Sequence, residues 1–140
     1  MTMVTTLSFK GQTEAALRHY EAALGAEELY LMRFRDAPDP SFTTPGAEDL
    51  IFHATFQIHD TVLMASDVGH ADPGATPEFV GFALALRFRS IDEARTAFGA
   101  LADGGEVVMP LAESRFTAWY GIVRDRFGIS WKISVSDGDG

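Results

Sequence analysis

An ungapped internal repeat constrains this chain more than any other feature. Leu7, Phe9, Glu14, Ala15, Ala23, Gly25 and Glu27 recur 79 residues later as Leu86, Phe88, Glu93, Ala94, Ala102, Gly104 and Glu106. A period this long is neither a heptad nor a solenoid unit, so it marks one strand-helix-strand module present twice. A cleft between two such halves is the first place to look for function.

In the first module, the pattern predicts a strand at about 3–9 and a helix at about 13–24, with Ala16, Leu17, Tyr20, Ala23 and Leu24 at helical spacing. Gly25 stands where a left-handed cap belongs. Strands follow at about 27–34, 50–58 and, after the His59-Asp60 turn, 62–66. The second module opens with a strand at about 80–88, and its helix begins at a capping box, Ser90 to Glu93. Ala94, Ala97, Phe98 and Leu101 form that helix's apolar face, Gly104 follows its end, and strands are expected near 105–109, 115–124 and 129–135. The fold class is therefore α+β, two tandem βαβββ modules in a single domain over 1–140, module one at about 3–67 and module two at about 80–135. The segments 36–46 and 67–77, rich in Asp, Pro and Gly, read as loops, either lids or surface excursions.

The bulk composition supports a folded domain and narrows its partners. With 46% apolar residues and 11 Phe the chain can bury a core. Eleven Lys and Arg against twenty Asp and Glu leave a net charge of −9, which repels phosphate backbones and anionic bilayers. Neither nucleic acid nor a membrane is an expected partner. A cationic or amphipathic compound would be attracted, although an acidic surface serves solubility just as well. The absence of Cys excludes thiolate catalysis and zinc-thiolate sites. The N-terminus has no basic and then apolar leader, so a cytoplasmic location is expected.

Alternation along the strands sorts side chains by face. Phe52, Ala54, Phe56 and Ile58 form one row and Ile51, His53, Thr55 and Gln57 the other. Likewise Trp131, Ile133 and Val135 oppose Ser130, Lys132 and Ser134, and Phe82, Leu84, Leu86 and Phe88 oppose Gly81, Ala83, Ala85 and Arg87. Each module thus has a greasy face for its helix and a polar or small-residue face for a cleft.

Several ordered pieces carry a family resemblance: Phe9-x-Gly11, Glu14-Ala-Ala-Leu-x-x-Tyr20-x-x-Ala23-Leu-Gly25, Met32-Arg-Phe, Leu50-Ile-x-His53-Ala-Thr-x-Gln57-Ile, Leu63-Met-Ala-Ser-Asp67 and Asp125-Arg-Phe-Gly-x-x-Trp131. Together they resemble the PhnB-like branch of the glyoxalase/bleomycin-resistance superfamily, the vicinal oxygen chelate proteins. The resemblance implies paired βαβββ modules forming an incomplete barrel around a small-molecule cavity, commonly in a homodimer. It also implies a place for a divalent ion, held by His, Gln or Glu on the first and last strands of each module. Here those positions fall on Val4, Ala83 and Lys132, with the fourth on Met64 or Asp67 according to the strand register. None of the first three binds a metal usefully, so no metal ligand and no cofactor is expected.

Among individual residues, His53 lies on the cleft face beside Thr55 and Gln57, where an imidazole can act as a base, contact a ligand or serve as a structural hydrogen-bonding group. Lys132 can hold an anionic group in place of the metal, or extend into solvent. Tyr120 and Phe116 share one face of their strand while Trp119 points the other way, and the repeat aligns Tyr120 with Thr55. Arg33, Glu113 and Arg115 fall at strand ends as weaker candidates. His19, His59 and His70 read as surface residues.

The expected function is small-molecule binding, with His53, Thr55, Gln57, Tyr120 and Lys132 lining the site. The alternative is a glyoxalase-like lyase or isomerase with Zn, Ni, Fe or Mn in a rearranged centre around His53 with Asp67 or Glu113.

Overall fold

The computed structural model describes residues 1–68 and 77–136, and the chain divides into two compact units, Met1–Pro77 and Glu78–Gly140. The first unit runs β1 (Thr6–Ser8), α1 (Thr13–Leu24), β2 (Glu27–Arg33), β3 (Ile51–Ile58) and β4 (Thr61–Ser66). The second runs β5 (Leu84–Phe88), α2 (Ile91–Ala102), β6 (Glu106–Glu113), β7 (Trp119–Arg124) and β8 (Ser130–Val135). The expected βαβββ order therefore appears twice.

Each unit forms one four-stranded mixed sheet, in the order β1-β4-β3-β2 and β5-β8-β7-β6. The first strand of each unit lies parallel to the last, and the other pairings are antiparallel. The greasy rows predicted from alternation are buried only in part: Phe52 and Leu84 are half-buried and Phe82 is 44% exposed, while Ile51, expected on the cleft face, is buried. Ala54, Phe56 and Ile58 in the first unit, and Trp131, Ile133 and Val135 in the second, are all under 5% exposed. Burying side chains of this size stabilises by about 1.5–3 kcal/mol each.

The helices begin for different reasons. The Ser90 hydroxyl accepts from the Glu93 N–H at 3.2 Å, as the capping box requires. Helix α1 has no such cap of its own, since Gln12 makes no side-chain bond there. The carboxylate of Asp67, just beyond β4, takes that place: its Oδ1 accepts from Gly11 N at 2.8 Å, Thr13 N at 3.1 Å and the Thr13 hydroxyl at 2.6 Å. Its Oδ2 accepts from Ile51 N at 2.9 Å, tying the start of β3 to the same side chain. A carboxylate at the positive end of a helix is also favoured by the peptide dipoles. In the second unit Asp125 does related work at the β7–β8 turn, accepting from Phe127 N, Ile129 N and Trp131 Nε1 at 2.8–3.1 Å.

The structure corrects several boundaries. Strands expected at 3–9 and 80–88 shorten to Thr6–Ser8 and Leu84–Phe88. Strand β6 extends through Pro110 to Glu113, which a sheet edge permits because proline's missing N–H costs no ladder bond on the open side. Residues 114–118 form a turn instead of opening β7, with Ser114 N donating to Ala118 O. Segment 36–46 is not structureless: it contains part of the 3-10 turn Phe34–Asp36 and all of Pro40–Phe42. The other expected loop lies largely outside the described residues, and His70 with it.

The repeat itself needs amending inside the helices. Leu7 and Leu86, Phe9 and Phe88, and the left-handed Gly25 and Gly104 (φ 68° and 78°) keep the 79-residue offset. The buried helix positions do not, because Thr13, Ala16, Leu17 and Tyr20 correspond to Ala94, Ala97, Phe98 and Leu101, 81 residues on. Ala15 is exposed whereas Ala94 is buried, so that identity is not a structural equivalence.

Candidate functional site

The face of each sheet opposite its helix carries the candidate residues. In the first unit β3 places His53, Thr55 and Gln57 in one row, each half-buried. The His53 Nε2 lies 3.0 Å from the Thr55 hydroxyl, the Tyr30 ring stands 6.2 Å from the imidazole between centroids, and Gln57 Nε2 donates to His59 O at 2.9 Å.

In the second unit the corresponding face is concave. A cavity of about 370 Å³ is lined by Tyr120 and Lys132 together with Arg87, Phe116, Ser134 and Ser136, while Ala85 and Thr117 complete its wall. Register explains the grouping. Tyr120 pairs with Ser134 across β7 and β8, Ser134 with Arg87 across β8 and β5, and Lys132 with Ala85 and Ile122 in the neighbouring row. The Phe116 ring, from the turn before β7, meets Tyr120 edge-to-face with centroids 5.4 Å apart and planes at 87°. Trp119 lies on the other face, where the Arg95 guanidinium of α2 sits 4.9 Å from its ring. Tyr120 and Lys132 are thus brought together in one cavity. Alternation already puts Arg87 and Ser134 on this face, but their grouping with Phe116 and Ser136 depends on strand pairing that linear order does not reveal.

Register also settles the equivalences. Ala54 pairs with Ala65, which pairs with Leu7; Gly121 pairs with Ile133, which pairs with Leu86. Ala54 therefore corresponds to Gly121, and one step along each strand Tyr120 corresponds to His53, not to Thr55. Met64, beside Thr6 and Thr55, is the counterpart of Lys132 beside Ala85 and Ile122. Of the two residues the sequence leaves open, Met64 and not Asp67 is therefore the register counterpart of Lys132. Asp67 is 1% exposed, and its oxygens already receive the four hydrogen bonds described above.

Neither Val4 and Met64 in the first unit nor Ala83 and Lys132 in the second offer the imidazole, carboxylate or amide donors that a divalent ion needs. Among the described residues no three His, Asp or Glu side chains are grouped to hold one. Of the weaker candidates, Arg33 is held by Glu14 at 2.6 Å and by Asp49 O, and Glu113 and Arg115 are exposed. The Arg33 guanidinium bonded to Glu14 is the chief reason that carboxyl sits below its ordinary value.

The family model described as 3-demethylubiquinone-9 3-methyltransferase matches residues 1–134. The chain belongs to that family. It is the PhnB-like branch of the vicinal oxygen chelate superfamily, as the sequence motifs implied. Protein YjdN of Escherichia coli is 32% identical over 137 residues, covering 92% of this chain and 91% of the relative. Protein PA1353 from Pseudomonas aeruginosa shares 32% identity with a TM-score of 0.84, covering 97% of this chain and 98% of its own. A Bacillus cereus PhnB protein, titled a putative 3-demethylubiquinone-9 3-methyltransferase, is 26% identical with a TM-score of 0.79, covering 97% of this chain and all of its own. The PhnB-like fold is thus common to the chain and these proteins, while the side chains lining the second-unit cavity are read from this sequence alone. Among the described residues no helix is long and apolar enough to cross a membrane.

Proposed function

We propose that this PhnB-like protein binds a small molecule on the open face of its second sheet and does so without the four-ligand metal site of its superfamily. One observation carries the reading: the cavity of about 370 Å³ that joins Tyr120 and Phe116 with Lys132. Its volume lies at the lower end of the range in which drug-sized and smaller ligands bury most of their surface. In this reading Tyr120 supplies a flat apolar wall and Lys132 a charge that replaces the ion. His53, Thr55 and Gln57 supply hydrogen-bonding contacts on the open face of the first sheet. The side chains of Val4 and Met64 in the first unit, and of Ala83 and Lys132 in the second, support binding without a metal, and the functional unit is taken to be a homodimer.

A fragment screen observed by amide chemical shifts tests the reading. Binders should perturb Tyr120, Lys132 and Ser134 saturably in metal-stripped protein. Stoichiometric Zn, Ni, Fe or Mn in the purified protein, lost on chelation together with a lyase or isomerase activity, would overturn it in favour of the enzyme.

A further inference from the structure

Among the described residues, two of the five cations without a carboxylate partner line this one cavity. Of eleven Lys and Arg, six arginines are in ion pairs: Arg18 with Glu14, Glu21 and Glu28, Arg33 with Glu14, Arg35 with Asp49, Arg95 with Asp92, Arg124 with Glu106 and Arg126 with Asp103. Lys10, Arg87, Arg89, Arg115 and Lys132 have no carboxylate partner among the described residues. These five have no carboxylate partner although the chain carries twenty Asp and Glu. Arg87 and Lys132 nevertheless line the same cavity.

Their geometry suits an anion. Arg87 pairs with Ser134 and Ala85 with Lys132, so the two cations are diagonal neighbours on one face of adjacent parallel strands, roughly 7 Å apart at the backbone. From that backbone spacing both side chains, which are exposed, can reach one anion and donate charge-assisted hydrogen bonds to it. The guanidinium fork fits a carboxylate or phosphate edge, and the ammonium contributes a point charge. The chain's net charge of −9 opposes this at long range only, since salt screens beyond about 8 Å under physiological conditions.

The other wall sets the body of the ligand. Phe116 and Tyr120 stand at 87° to one another, so a flat ring that stacks on one presents its edge to the other. The Thr117 hydroxyl already donates to Val135 O at 2.7 Å, so the Ser134 hydroxyl is the donor on this wall able to turn toward a ligand substituent.

We infer that this cavity takes a small aromatic acid, its carboxylate or phosphate between Arg87 and Lys132 and its ring against Phe116 and Tyr120; the inference rests on the binding function proposed above. The charge lining the cavity outweighs the overall acidity that favoured a cationic compound.

Calorimetry with five probes tests it: benzoate, phenyl phosphate, benzamide, benzamidine and inorganic phosphate. At least one of benzoate and phenyl phosphate should bind about tenfold more tightly than benzamide and benzamidine, and the tighter of the two identifies the head group. Arg87→Gln and Lys132→Gln should each weaken that probe by about tenfold, whereas Arg89→Gln, which removes an exposed charge outside the cavity, should leave it unchanged. Benzamide or benzamidine binding as tightly as the acids would overturn the inference and leave the binding function standing. Inorganic phosphate binding as tightly as phenyl phosphate would remove the aromatic half and overturn it as stated. No saturable heat from any probe would overturn it, and the fragment screen then decides the broader function separately. The ranking of probes on the unaltered protein does not depend on how any variant folds.

Discussion

Replacing Asp67 should destabilise the first unit more than any surface substitution, and in a graded way that its hydrogen bonds dictate. Four donors converge on a carboxylate that is 1% exposed: the N–H groups of Gly11, Thr13 and Ile51 and the Thr13 hydroxyl. In Asp67→Ala the Thr13 hydroxyl can rotate and Gly11 N, only partly buried, can reach water. Thr13 N and Ile51 N are left buried without their acceptor. Two such orphaned groups cost about 1–3 kcal/mol each, and recovery of the buried charge's desolvation offsets part, leaving a net loss of about 2–4 kcal/mol. Asp67→Asn keeps an oxygen for the three donors at α1 but turns an NH₂ toward Ile51 N–H, for about 1–2 kcal/mol. Thr13→Val removes one of the four bonds and should cost about 1 kcal/mol. Urea unfolding with a common m-value reads the series directly. Asp67→Ala within about 0.5 kcal/mol of the parent, or Asp67→Asn worse than Asp67→Ala, would refute the reasoning.

Three further outcomes follow from the same geometry. Gly121→Ala would put a methyl 2.8–2.9 Å from Leu111 backbone atoms and the Phe98 ring, and should cost about 1–3 kcal/mol in urea unfolding. Ser90→Ala should lose about 1 kcal/mol by the same measure, since no other side chain caps α2. Glu14 has its carboxyl lowered chiefly by the hydrogen bond from Arg33, so its contribution is present above the unfolded value of 4.5 and is lost as pH falls through the lower folded one. Because Glu14 is 43% exposed, Glu14→Gln should cost no more than about 0.5 kcal/mol at pH 7, and the difference should vanish in acid; thermal melts across that range check it.

How much the sequence discloses depends on the range of the interaction involved. Helix α1 is readable to the residue because its periodic face and Gly25 are local, and α2 because Ser90 and Glu93 are three residues apart. The role of Asp67 is not, since its bonds span 54 and 56 residues to Thr13 and Gly11; the motif around it is visible, its reason is not. The helix offset of 81 hides behind an ungapped identity at Glu14-Ala15 and Glu93-Ala94, because conserved letters do not reveal which side of a helix faces the sheet. On the candidate site, period-two alternation is enough to put Tyr120 and Lys132 on the open face. It cannot show that Arg87 is the notable cation, because the lack of a carboxylate partner is a property of tertiary neighbours. Likewise, Tyr120 answers to His53 through two strand pairings that no linear offset contains.

The central claim is that this PhnB-like protein binds its ligand through side chains of the second sheet and without a metal. Titration of benzoate and phenyl phosphate into matched samples, one as purified and one stripped by a chelator with its metal content measured, tests it most directly. The account predicts the same affinity and a stoichiometry near one per chain in both samples. Binding that disappears on stripping and returns with Zn, Ni, Fe or Mn would contradict it.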